Sequence, residues 1–127
     1  MGRYGQAAIM AVELIKTEKV KNPIDAWETA TCQIFGKGTS MQCKGCPKGA
    51  FLGLCEEGLI NGIPSGKYTR SHKNKSYAVK AVSILKNNPR KNFTEETLWI
   101  EVIGNEYKAY NQQMDVVIAL WKKGYIK

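Results

Sequence analysis

The residues with most chemistry to offer are the four cysteines, Cys32, Cys43, Cys46 and Cys55. Cys43-Lys44-Gly45-Cys46 has the spacing of half a zinc site or of a redox dithiol. Cys46 also stands before Pro47, a residue that favours a helix start, with Lys44 and Lys48 beside it; a helix N-terminus and nearby ammonium groups both stabilise a thiolate. Cys46 is therefore the candidate nucleophile and Cys43 its resolving thiol. A cysteine hydrolase also needs a positioned base, and the single histidine, His72, has no motif that places it beside Cys46. The plainer alternative makes Cys32 and Cys55 small core residues and Cys46 an inert capping residue.

A metal is harder to accommodate. If Pro47 to Glu57 is helical, Cys46 and Cys55 lie about 13 Å apart along the axis at ~1.5 Å per residue, against metal–sulfur bonds of ~2.3 Å. That excludes a four-cysteine site. It leaves Cys32, Cys43, Cys46 and His72, a set that requires two loops to meet. No cofactor is expected. Four clustered cysteines in a chain of 127 residues do not resemble a secreted disulfide scaffold either.

The second chemistry is charge. The chain carries 19 Lys and Arg against 11 Asp and Glu, a formal +8, and the excess is local. Residues 1–57 hold seven basic and six acidic groups, and residues 95–127 hold four and five. Between Gly58 and Thr94 there is no acid, while Lys67, Arg70, Lys73, Lys75, Lys80, Lys86, Arg90 and Lys91 all fall there. A segment of one sign between neutral flanks makes a directional field that concentrates polyanions. Tyr68 and Tyr77 could stack on bases, and Ser65, Thr69, Ser71 and Asn74 could donate to phosphates. If about six cations met phosphate, affinity would fall roughly a thousandfold between 50 and 200 mM salt. The expectation is a nucleic-acid or other polyanion partner; an acidic protein, an anionic lipid surface or a merely solvated connector would use the same letters.

Helices must position these groups. Tyr4, Ala8, Ala11, Leu14 and Ile15 recur at helical spacing and predict a first helix running to Val20. Asn22-Pro23 supplies a cap and a first-turn proline for a second, with the stripe Ile24, Trp27, Thr31, Ile34 and Phe35. A third, short helix opens near Pro47, buries Phe51, Leu54 and Cys55, and closes at Gly58. A fourth carries Tyr77, Ala78, Ala81, Ile84 and Leu85 and stops at Asn88-Pro89, with Ser76, Lys80, Ser83 and Asn87 on its polar face. Thr94 caps a fifth, with Phe93 and Leu98 at the positions of a hydrophobic staple. Asn105 is expected to cap a sixth, along which Tyr107, Tyr110, Met114, Val117 and Trp121 keep the spacing.

The expected fold is thus all-α: a compact single-domain bundle of five to six helices over residues 1–127, with two glycine-rich loops near 36–45 and 58–66. The end of the chain loosely resembles the second half of a helix-turn-helix or winged-helix domain, but residues 95–127 have the wrong net sign for a groove reader. Trp27, Trp99 and Trp121 lie on helical stripes and read as core. The pairs Glu56-Glu57 and Glu95-Glu96 point about 100° apart on a helix and read as solvated ends. No apolar run exceeds the six residues of Val116–Trp121, far short of the ~18 that span a membrane. With no signal core at the N-terminus, a cytoplasmic location is expected.

The stretch Cys46-Pro47-Lys48-Gly49-Ala50-Phe51-Leu52-Gly53-Leu54-Cys55-Glu56-Glu57-Gly58, with Trp27 before it and Asn74-Lys75-Ser76-Tyr77-Ala78-Val79 after it, resembles small bacterial proteins grouped as a domain of unknown function. The resemblance implies a bacterial cytosolic setting and carries no activity. Physically, Gly49 and Gly53 sit one turn apart and let another helix approach closely, at about 1 kcal/mol each in helix propensity. That places this helix at the centre of the domain, against Trp27 and the fourth helix; a small-molecule pocket beside the bare backbone is the alternative.

Overall fold

Among the described residues six helices succeed one another with irregular connections: α1 Arg3–Lys16, α2 Pro23–Phe35, α3 Gly45–Glu56, α4 His72–Asn87, α5 Glu95–Ile103 and α6 Gln113–Lys123. The computed structural model describes residues 2–127, and among these the one β-type pairing is an antiparallel bridge between Ile60 and Ile126. The all-helical architecture is the one expected from apolar periodicity.

α3 is the hub. Pro47 and every residue from Gly49 to Cys55 are buried, and a helix apolar all round has no side left for solvent. α4, α6 and α2 pack around it, while α1 packs on α2 and α6. The Trp27 ring of α2 stacks on Phe51 with centroids 5.1 Å apart. Residues from all six helices join one hydrophobic cluster.

The two glycines of α3 decide how close α4 comes. A Cβ on Gly49 would lie 2.8 Å from the Asn74 Cβ, and a Cβ on Gly53 would lie 2.6 Å from the Lys75 Cα. Both distances are below van der Waals contact, so the glycines serve helix packing, and the bare backbone faces α4.

Two caps stand where the side chains called for them. Asn22 Oδ1 accepts from the Asp25 N–H at 2.9 Å. Thr94 Oγ1 accepts from the Thr97 N–H at 3.1 Å while Thr97 Oγ1 accepts from the Thr94 N–H at 2.9 Å, a reciprocal box closed by threonine. Phe93 and Leu98 are both buried beside it.

Boundaries differ at two places. α1 ends at Lys16, not Val20, because Glu18 takes a left-handed conformation (φ 60°) and the N–H groups of Lys19 and Val20 turn back to the Leu14 carbonyl. That is a helix stop without the usual glycine. The sixth helix begins at Gln113, not at Asn105: residues 104–112 are irregular, and Gln112 at φ 64° sets the entry angle. Tyr110 then donates its hydroxyl to the Asp115 carboxylate of the first turn. Burial, with that hydrogen bond second, pushes the Tyr110 hydroxyl pKa up.

Candidate nucleic-acid interface

The basic segment begins where α3 ends. Gly58 (φ 70°) turns the chain out of the helix, and Ile60 pairs with Ile126, with Asn61 N–H donating to the Tyr125 carbonyl at 2.8 Å. Residues 64–71 then cross the molecule as irregular backbone. Such a stretch needs partners for its N–H groups, and Glu56 supplies them. One carboxylate oxygen accepts from the Tyr68 N–H at 2.7 Å and from the Thr69 N–H at 3.2 Å. The other accepts from Lys75 Nζ at 2.7 Å, and the same ammonium reaches Glu57 at 3.0 Å.

Glu56 is correspondingly acidic. The hydrogen bond from Lys75, then those from the two backbone N–H groups, hold its pKa down at about 2. Lys75 is raised in return, first by Glu56 and then by Glu57. Glu56 is therefore no solvated helix end but a clamp on the basic loop. Lys75, expected on the binding surface, instead holds that clamp with its side chain only 22% exposed.

Further hydrogen bonds fix the end of the loop. Ser71 N–H donates to Thr69 Oγ1 at 3.0 Å, and Asn74 Nδ2 donates to Ser71 Oγ at 2.8 Å. Asn74 Oδ1 in turn accepts from the fully buried Gln113 of α6 at 3.1 Å. The start of α4 is thereby tied to α3 on one side and to α6 on the other.

The remaining cations divide by place. Lys73, Ser76, Lys80, Ser83 and Asn87 are exposed along one stripe of α4. Lys86 is exposed roughly 120° round the helix from Lys80. Lys67 and Arg70 project from the clamped loop, where a cleft of about 320 Å³ is lined by Arg70 with Lys48, Tyr68, Leu52, Ile24 and Ser71. Arg90 and Lys91 lie beyond the far end of α4, on a separate cleft with Lys122 and Trp121; Lys91 Nζ sits 4.8 Å from the Phe93 ring centre. Only Lys73 and Lys75 of the eight form ion pairs among the described residues, and Lys73–Glu106 is a long contact of 3.8 Å between exposed groups.

Cys32 and Cys43 both lie at the Glu28–Gln42 hydrogen-bond cluster. Cys43 is exposed, Cys32 and Cys46 are half-buried and Cys55 is buried. Burial raises the Cys55 pKa, and burial followed by Glu28 raises that of Cys32. Cys46 lies in the first turn of α3 and His72 at the start of α4. Among the described residues the His72 side chain makes no hydrogen bond, and no three His, Cys, Asp or Glu side chains gather as a metal site. Cys32, Cys43, Cys46 and His72 are thus not assembled into a ligand set.

The chain belongs to a family of unknown function, DUF6979. The family model matches residues 1–127, which bears out the resemblance to a domain of unknown function. No curated protein and no solved structure matches the chain. No helix among the described residues is long and apolar enough to cross a membrane.

Glu56 reads from the sequence as a solvated helix end, and Gln113 drew no reading at all. A signal for Glu56 existed: a carboxylate in the last turn of a helix opposes the macrodipole, and an acid placed there in a buried helix calls for a cation such as Lys75. Gln113 offered none, since its role depends on where Asn74 lands.

Proposed function

We propose that this protein binds nucleic acid through the phosphate backbone, with Lys67, Arg70, Lys73 and Lys80 as the principal contacts and Lys86 at their flank. The observation that supports this is the lack of compensation: among the described residues, none of Lys67, Arg70, Lys80 and Lys86 has a carboxylate within ion-pair distance. Left uncompensated, these groups keep their field for an anionic partner.

Spacing adds to the case. Lys73 and Lys80 are seven residues apart, close to two helical turns, so they lie on nearly the same line about 10 Å apart. Arg70 lies in the loop before the helix and adds a cation on the cleft that Lys48 and Leu52 of α3 line. Ser76, Ser83 and Asn87 stand exposed beside the Lys73–Lys80 line as donors to phosphate oxygens. The exposed Lys73–Glu106 pair contributes little, and Lys73 can exchange that partner for phosphate at small cost.

With four to five phosphate contacts, affinity falls roughly a hundredfold or more between 50 and 200 mM salt. Fluorescence anisotropy with random-sequence DNA and RNA measures this directly. Lys80→Glu and Lys73→Glu each flatten the salt dependence and weaken binding across sequences. No binding at 50 mM salt, or variants that bind as wild type does, would overturn the reading.

A further inference from the structure

The cleft beside Arg70 combines two features that a phosphate surface alone does not require. Part of its lining is apolar: Ile24, Leu52 and the half-buried ring of Tyr68. Ile24 is 42% exposed, one of only four large hydrophobic residues left so open among the described residues. The rest of the lining carries Lys48 and Arg70 with Thr69 and Ser71. A second recess of about 360 Å³ shares Ile24, Tyr68, Thr69 and Arg70 and adds Lys67, so the two adjoin as a trough with cations along it.

The trough is also preformed. Glu56 holds the backbone of Tyr68 and Thr69, the Tyr68 hydroxyl donates to the Pro64 carbonyl at 2.8 Å, and the Ser71–Asn74 hydrogen bond fixes the other end. An aromatic ring held in place at a basic opening meets a flat ligand without further ordering, which preserves affinity.

We infer that this trough is a nucleotide subsite, in which an unpaired base lies against Tyr68 and Ile24 while the adjoining phosphates meet Lys48, Arg70 and Lys67, so that the protein prefers single-stranded to duplex nucleic acid. The inference rests on the nucleic-acid reading above and names the form of its ligand. Charge complementarity selects an anion, and the apolar lining selects one with a π-face. An unpaired nucleotide has both, whereas duplex bases are stacked inside and cannot enter. An acidic peptide matches the cations but leaves the aromatic ring unused.

The test compares an unstructured single strand, a duplex of equal length and an abasic single strand of the same charge, by anisotropy at fixed salt. Wild type is expected to bind the single strand about tenfold more tightly than the abasic strand, the loss anticipated when one base has no stacking platform. Tyr68→Ala should reduce single-strand affinity by about the same factor and leave the duplex unchanged, while Tyr68→Phe, which keeps the ring and loses only the Pro64 hydrogen bond, retains most of the affinity. Ile24→Ser, at an exposed position and with no change of charge, gives the same answer if Tyr68→Ala disturbs the loop. Equal binding of normal, abasic and duplex ligands overturns the subsite and leaves backbone binding standing. Stronger binding of a polyglutamate peptide than of any oligonucleotide overturns both, as does absence of all binding at 50 mM salt.

Discussion

Gly53→Ala isolates the contact on which the clamp and the basic loop depend. In an isolated helix the change would stabilise by about 1 kcal/mol. In the fold the new methyl would lie 2.6 Å from both the Lys75 Cα and Cβ. A backbone atom cannot rotate away, so α3 and α4 must part by roughly 1 Å to restore ordinary carbon–carbon contact near 3.5–4.0 Å. Overpacking of this kind costs about 1–3 kcal/mol, and contact with main chain places it at the upper end. After subtracting the propensity gain, the net loss is about 2 kcal/mol. With an unfolding entropy of ~2.1 cal/mol/K per residue, 127 residues give roughly 0.27 kcal/mol/K. The loss then lowers Tm by about 7 °C.

The assay is thermal unfolding followed by circular dichroism, with Gly45→Ala as the companion variant. Gly45 lies in the same helix with nothing within 4 Å of its would-be Cβ, so that change should leave Tm equal or slightly raised. Opposite signs from one substitution in one helix are the signature of close approach. A Gly53→Ala protein with Tm at or above wild type would refute the reasoning, because it would mean that the helices separate without loss.

Glu56 makes stability depend on acid. Its folded pKa of about 2 lies below the ordinary 4.5, so its contribution is fully present above 4.5 and disappears as pH falls towards 2. Urea midpoints measured across that window should fall more steeply for wild type than for Glu56→Gln, and parallel curves would remove the clamp from the account. Thiol reactivity should follow burial: under native conditions Cys43 is modified first and Cys55 only on unfolding. Mass-resolved alkylation reads the order, and early labelling of Cys55 would show that α3 is not the buried hub.

Much of the fold was legible from local rules. The Asn22-Pro23 cap, the Thr94 box with its Phe93–Leu98 staple and the Asn88-Pro89 stop each depend on a few adjacent residues, and all lie where those residues require. The glycine spacing of α3 announced a close neighbour, and α4 is that neighbour. Glu18 and Gln112 escaped notice because each takes a left-handed conformation that its residue type does not advertise. The end of α1 and the start of α6 were misplaced for that reason.

Composition and spacing by themselves determined the helices, the buried character of α3 and the confinement of net charge to residues 58–94, since each follows from side-chain chemistry read along the chain. Tertiary structure decided what the charges do. Two residues distant in sequence, Glu56 and Lys75, meet at 2.7 Å across the α3–α4 packing, which removes one cation from the surface and holds Lys67 and Arg70 on it. Linear charge density carries no record of such a pairing, because it depends on how closely two helices approach, and that was set by the absence of a side chain at Gly49 and Gly53.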